Sequence, residues 1–387
     1  MSERVYLDHA ATTPVDPRVI AAMLPILREG WGNPSGIYRE AQRARQALDQ
    51  ARDVVAGRLG CTASEIVFTS GGTEADNAAI RGVAAAATGR HMVTSAIEHH
   101  AVLEPLEALE RDGWEVTVLP VDGEGFVDPA AAADAVRDDT ALVTIMAANN
   151  EVGTVQPIAA IAAAVKARNP RTLVHTDAVQ AAGAIDIRPD VLGVDLLSLT
   201  AHKIYGPKGV GALYVRHRTP FSPLIIGGGQ EGDRRAGTEN VAGAVALAAA
   251  LDLACAEMEA RNAHVGGLRD RLWRHLREGV EQVSLNGPRD MARRLPNNLS
   301  VCFAGVEGES ILLQLDMEGV AASSGSACTT GSTEPSHVLT AMGVDSDLAH
   351  SAVRLTLGRE TTQAQVDRVG RVLPEAIERL RALSPIG

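Results

Sequence analysis

Aromatic residues are scarce in this 387-residue sequence, with four Phe, four Tyr and three Trp making up 3%. Alanine is abundant by contrast, so helices are expected to pack closely through small side chains. Cysteine is sparse too. The four, at 61, 255, 302 and 328, form no C-x-x-C pair and no Cys/His cluster with metal-ligand spacing, so no metal is expected. So few and so scattered, they read as reduced thiols of a cytoplasmic protein. Positive charge is in deficit: 36 Lys and Arg against 48 Asp and Glu leave a net charge of −12, which disfavours nonspecific attraction to nucleic acid or an anionic membrane. No run approaches the roughly 20 apolar residues of a membrane span. The apolar runs near 84–87 and 242–251 are short or interrupted and read as buried helices. Met1-Ser2-Glu3-Arg4 leads into structured-looking sequence without an apolar signal core. There is no internal repeat and no low-complexity tail.

What is present is a regular alternation. The length suits two domains. In 39–59, Ala41, Ala44, Leu48, Ala51, Val55 and Leu59 recur at three- and four-residue spacing, which predicts a helix. Short apolar or β-branched runs at 65–69, 91–95, 115–119, 141–146, 172–176 and 196–199 are interleaved with helical patterns such as 73–87, 102–111 and 158–168. That alternation predicts an α/β fold with a mainly parallel sheet covered on both faces, and a site beyond the carboxyl ends of its strands. After Tyr214 the pattern changes to a Gly-rich loop at 226–230, a polar, basic stretch at 233–238, one long helical region over about 241–280, then strands such as 298–303 and a helix at 309–318. The domain boundary is placed inside the long helix. Residues 16–258 form the large domain; 1–15 with 259–387 form a smaller α+β domain carrying a loop at about 322–335.

Several polar residues stand at predicted strand ends. Ser70-Gly71-Gly72-Thr73-Glu74 reads as an anion site at a helix start, or equally as a tight turn with Thr73 as N-cap. It matches neither the Walker nor the dinucleotide fingerprint, so no nucleotide is implied. Lys203 follows the run 196–199 and would suit Schiff-base chemistry if desolvated; the alternative is an ordinary loop lysine. Asp177 follows an apolar run, so its carboxylate is expected at the sheet edge, either paired with a cationic partner such as a pyridinium or capping a helix. His99 and Asn150 also follow strands; such an imidazole can stack on a ring and move protons, although many histidines are structural. Cys328 lies in the small, polar segment 323–332, which reads as an exposed, mobile loop where a thiol serves as a nucleophile or is an incidental surface cysteine. Cys255 and Cys302 read as inert core thiols.

Taken in order, these pieces resemble one family. Tyr6-Leu7-Asp8-His9-Ala10-Ala11-Thr12-Thr13-Pro14, Gly32-Asn33-Pro34-Ser35, 68–77, 98–103, 149–153, His175-Thr176-Asp177-Ala178-Val179-Gln180, 201–211, 234–240, 323–335 and 349–359 together resemble a cysteine desulfurase of the NifS/IscS type, a fold-type I pyridoxal 5′-phosphate enzyme of the class-V aminotransferase family. The resemblance implies that Lys203 would carry the cofactor as a Schiff base, Asp177 would pair with the pyridine nitrogen, and His99 would stack on the ring and take the substrate thiol's proton. Gln180 and Asn150 would touch the phenolic side. Gly72, Thr73, Thr200, Ala201 and His202 would hold the phosphate, and Thr238 would reach the phosphate of a neighbouring subunit in a homodimer. Asn33 and Arg354 would hold the carboxylate of L-cysteine. Lys203 would take the Cα proton and Cys328 the sulfur, leaving L-alanine and a persulfide for an iron–sulfur scaffold or another sulfur-acceptor protein. Segment 323–337 matches the long-loop branch of the family and lacks the R-x-G-x-H-C motif of the short-loop branch. The sequence stops at 383–387, short of the tail by which housekeeping members dock the scaffold, so that docking route is not expected. A selenocysteine lyase, an aminotransferase on the same fold, and a non-catalytic sulfur-assembly subunit are the competing readings.

Overall fold

The computed structural model describes residues 4–325 and 335–383. Among them, seven strands form the main sheet in the order Ile66–Thr69, Gly211–Val215, Leu196–Thr200, Leu173–Asp177, Thr140–Thr144, His91–Ser95, Glu115–Leu119. Gly211–Val215 runs antiparallel to both neighbours, and the other pairings are parallel. The central strands are covered on both faces, which is why they read as near-continuous apolar runs. Alternation along a strand still decides which helices each residue meets. Leu197 and Leu199 pack with Leu48 and Val55 of helix Arg39–Leu59 and with Leu247 and Leu251 of helix Val241–Ala256. Leu196 faces the other way, toward Ala79 and Ile80 of helix Gly72–Ala86 and Val102 and Leu106 of helix His100–Arg111.

A second core gathers around a three-stranded antiparallel sheet, Ala352–Thr356, Asn298–Phe303 and Val283–Leu285. The N-terminal strand Val5–Tyr6 pairs in parallel with Val320–Ala321, and Val5 and Leu7 are buried in this second core. Helices Met258–Gly279 and Gln363–Leu383 cover it.

The expected single helix over 241–280 is two helices, Val241–Ala256 and Met258–Gly279, bent by 70°. Glu257 leaves helical geometry between them (φ −100°, ψ 4°), and its carboxylate accepts a hydrogen bond from Arg18 at 2.6 Å. The two halves serve different cores. The first is apolar almost all round and is sunk in the large core, whereas the second buries an apolar stripe of Val265, Leu268, Leu272 and Leu276 in the small core, with Arg269 the one other buried residue. No single helix among the described residues is long and apolar enough to cross a membrane.

Asp16 ties the two cores together. It caps helix Pro17–Glu29 by accepting from the Arg18 N–H at 2.7 Å, and its carboxylate also receives the guanidinium groups of Arg18 and Arg359. Arg359 lies just beyond the 352–356 strand and stacks on the Tyr205 ring at 4.5 Å. These arginine bonds, Arg18 first and Arg359 after it, hold the Asp16 carboxyl well below the usual carboxylate range. A depressed folded-state pKa stabilises above the unfolded value of about 4 and ceases to do so as the pH falls through the folded one. Asp16→Asn is therefore expected to lower the urea midpoint at pH 7, with the gap to wild type closing below about pH 4. A gap that stays constant down to acid unfolding would contradict this.

Candidate active site

The carboxyl ends of the parallel strands open into one cavity of about 310 Å³. Gly72, Thr73, His99, Asn150, Asp177, Gln180, Thr200, His202, Lys203 and Arg354 all line it. Ala201 is fully buried in the turn behind Lys203.

The glycine turn forms one end. Strand Ile66–Thr69 stops and helix Gly72–Ala86 starts with Gly71 as N-cap, so Thr73 is inside the first turn and does not cap it. No side chain caps this start, which leaves first-turn N–H groups and the positive end of the helix dipole to an anion. A Cβ on Gly72 would come within 2.7 Å of Val179 Cγ2, so the approach of the two segments depends on the missing side chain. The buried Thr200 hydroxyl donates to Val210 O at 3.1 Å. His202 bonds Thr12 Oγ1 at 3.2 Å and is lowered to a pKa of about 4, by burial first and by the charges of Lys203 and Lys208 after it.

Lys203 closes a 3₁₀ turn directly after strand Leu196–Thr200. Its ammonium donates to Ala10 O at 2.6 Å and Ala11 O at 2.7 Å, and Gln180 Nε2 donates to the same Ala10 O at 2.9 Å. The N-terminal segment thus forms the wall that positions the lysine. Asp177 ends strand Leu173–Asp177 with its carboxylate buried, where Oδ1 accepts from the Val179 N–H at 2.8 Å. Burial pushes its pKa up, and the Val179 bond and the Lys203 charge pull it back.

His99 caps helix His100–Arg111, its Nδ1 accepting from the Ala101 N–H at 3.0 Å. That bond assigns the proton of the neutral ring to Nε2. Burial, then Lys203, His100 and His337, lowers its pKa to about 4, so the ring is neutral at pH 7. The expectation that His99 takes a thiol proton thus carries a condition: the ring accepts at Nδ1 only by releasing Ala101. Arg354 is 2% exposed; Nη2 pairs with Asp8 at 2.9 Å, Nη1 donates to Asn150 O at 2.8 Å, and buried Nε has no hydrogen-bond partner among the described residues.

Asn33, expected at the substrate carboxylate, is not brought to this cavity, and Thr238, expected at the phosphate of a neighbouring subunit, also lies outside it. Asn33 is exposed in the loop after helix Pro17–Glu29, and its side chain accepts from the Ser35 N–H at 2.9 Å. Thr238 is exposed beyond the Gly-rich loop. Cys328 lies outside the described residues. Of the other thiols, Cys302 is buried and Cys61 is pushed up to about 12, chiefly by burial, so neither has thiolate character at neutral pH.

Sequence reasoning missed two buried acids beside Asp177. Asp76 lines the cavity floor, and Glu98, also fully buried, accepts from Ser95 Oγ at 2.5 Å and from the Met146 N–H at 3.0 Å. The sequence did hold a signal for Asp76, a carboxylate on the Ala75/Ala79/Ile80 face of an otherwise apolar helix stripe.

Comparison with known proteins finds matches along nearly the whole chain. Residues 5–369 match the family described as aminotransferase class-V. The chain is 51% identical over its full length, and over 97% of the relative, to a protein of Dictyoglomus turgidum named cysteine desulfurase IscS. Among solved structures, one described as a NifS-like protein superposes with a TM-score of 0.91 at 40% identity, covering 97% of this chain and all of that one. Another, described as SspA in complex with cysteine, superposes with a TM-score of 0.80 at 36% identity, covering 92% of this chain and all of that one.

The close approach at Gly72 yields a test. Gly72→Ala is expected to weaken pyridoxal phosphate uptake by about tenfold or more, roughly 1.4 kcal/mol, in an absorbance titration. Wild-type affinity in that variant would show that the turn does not form the anion site.

Proposed function

This chain belongs to the class-V aminotransferase family, and on that premise we propose that it is a pyridoxal-phosphate-dependent cysteine desulfurase. The reaction is L-cysteine plus a protein thiol giving L-alanine plus a protein persulfide: the C–S bond breaks, an S–S bond forms, and the thiol protons end on alanine and the persulfide. The observation that carries the reading is the meeting of Lys203, buried Asp177 and an uncapped helix start in one cavity of a chain similar throughout to cysteine desulfurases.

The residues present fit the cofactor. The first-turn N–H groups with Thr73, Thr200 and His202 suit the phosphate, and Asp177 suits a ring N–H, its remaining carboxylate capacity turned into the cavity. His99 suits the ring face, Gln180 and Asn150 the phenolic side, and Lys203 the aldehyde. When bound, the pyridoxal ring supplies an electron sink for the charge released at the substrate's Cα. Lys203, held by the Ala10 and Ala11 carbonyls, takes and returns the Cα proton. Arg354 receives the substrate carboxylate, for which its unmet Nε–H is a buried donor. His99 handles the sulfur-side proton.

Cys328 is proposed as the sulfur acceptor. Gly325 lines the cavity and lies three residues before it, a chain span of at most about 11 Å. The persulfide then goes to an acceptor protein, an iron–sulfur scaffold or a thiolation enzyme. Thr238, exposed and away from its own cavity, is proposed to complete the neighbour's phosphate site in a homodimer.

Assaying alanine, 3-mercaptopyruvate and sulfide together tests the reading. Cys328→Ala is expected to keep the visible absorbance of the bound cofactor and to lose alanine and sulfide production; full desulfurase activity would remove Cys328 from the reaction. Lys203→Ala is expected to lose turnover by about a hundredfold or more. 3-Mercaptopyruvate, the oxo acid that keeps the sulfur, as the main wild-type product would point to transamination instead.

A further inference from the structure

The loop that leads to Thr238 is fastened to the glycine turn of its own chain and to the strand before that turn. Glu231 is buried, pairs with Arg52 at 2.6 Å and 2.7 Å, and accepts the Phe68 N–H of strand Ile66–Thr69 at 2.9 Å. Four residues on, Arg235 clasps Glu74. Its Nε donates to Glu74 Oε1 at 2.9 Å and its Nη2 to Oε2 at 3.3 Å. The same Oε2 accepts the Ser70 N–H at 2.8 Å. Glu74 is the third residue of helix Gly72–Ala86, so that bond closes a ring over Ser70-Gly71-Gly72-Thr73, the turn offered to an anion. The Glu74 side chain is 11% exposed and that of Arg235 25%, so the pair is screened less than one in open water.

A carboxylate in this place has two opposed effects. It is favourable at the positive end of the helix dipole, and its bond to Ser70 fixes the turn. It also stands beside first-turn N–H groups that are free to receive an anion, and like charges repel, a phosphate dianion twice as strongly as a single charge. An arginine on the carboxylate resolves the conflict. We propose that Arg235 is a positioning residue of the phosphate site, acting through Glu74: it holds the carboxylate in the geometry that fixes the glycine turn and cancels its charge, so that an entering phosphate meets N–H groups without an unpaired carboxylate beside them. The inference rests on the cofactor reading of the site.

The test is a rescue. Arg235→Ala leaves Glu74 unpaired beside the turn and is expected to lower pyridoxal phosphate affinity by about three- to tenfold in an absorbance titration. Adding Glu74→Gln, whose amide oxygen still accepts the Ser70 N–H without a charge, is expected to return affinity to within about twofold of wild type. Pyridoxal, which lacks the phosphate, is expected to bind wild type, the single variant and the double variant alike. Thermal unfolding checks that each folds. Wild-type affinity in Arg235→Ala would overturn the proposal. So would a double variant as weak as the single one, or equal losses for pyridoxal and its phosphate, since either outcome reduces Arg235 to packing. Should Arg235→Ala not fold, Glu74→Gln alone decides. It leaves a cation beside the turn and is expected to bind pyridoxal phosphate at least as tightly as wild type; a loss of more than about threefold overturns the proposal. If wild type takes up no pyridoxal phosphate, the cofactor reading fails. The same comparison made by calorimetry with inorganic phosphate then decides the role of Arg235, and no phosphate binding by any form overturns it.

Discussion

Buried negative charge at the carboxyl edge of the main sheet, set against the Lys203 ammonium, constrains the rest of the site. Asp177, Asp76 and Glu98 are all removed from water, and charge is expensive there unless paired. Lys203 supplies the local positive charge that pulls Asp177 back toward ionisation. It also suppresses protonation of its neighbours, for both His99 and His202 are lowered by its charge as well as by burial. The neutral imidazoles of His99 and His202 follow from the same arrangement.

That arrangement depends on a segment far away in sequence. Residues 5–7 belong to the small core, and the next turns of chain cross to the large one, placing the Ala10 and Ala11 carbonyls on the Lys203 ammonium. Asp8 holds Arg354 on the way, and Asp16 receives Arg359 and Arg18 at the far side. Lys203 and Arg354 therefore stand on different cores but are registered by one short stretch. Motion between the cores would be felt at both side chains.

Much of this was legible in the residues. The strand runs, their alternation with helices and the glycine turn identified a doubly covered parallel sheet with its chemistry at the strand ends, and Asp177, Lys203, His99 and Thr200 were placed there because strand ends were readable. The helix break at Glu257 was not. Local periodicity continues across it, and only the requirement that two halves bury stripes in two different cores bends the chain. Thr73 was a plausible cap, but the strand ends at Thr69 and the cap is Gly71, two residues earlier. Asn33 and Thr238 were carried by motif alone, and neither reaches the cavity of its own chain.

Composition and periodicity by themselves determined the layers, because which residues can be buried on a strand or helix face is set by spacing along the chain. The identity of the lysine and the aspartate at the sheet edge was likewise local information. Tertiary structure alone decided the charge state of the site. Whether an acid is an anion or a neutral donor depends on what faces it across the cavity, and Asp76, Glu98 and Asp177 come from three separate elements that meet only when the sheet is assembled.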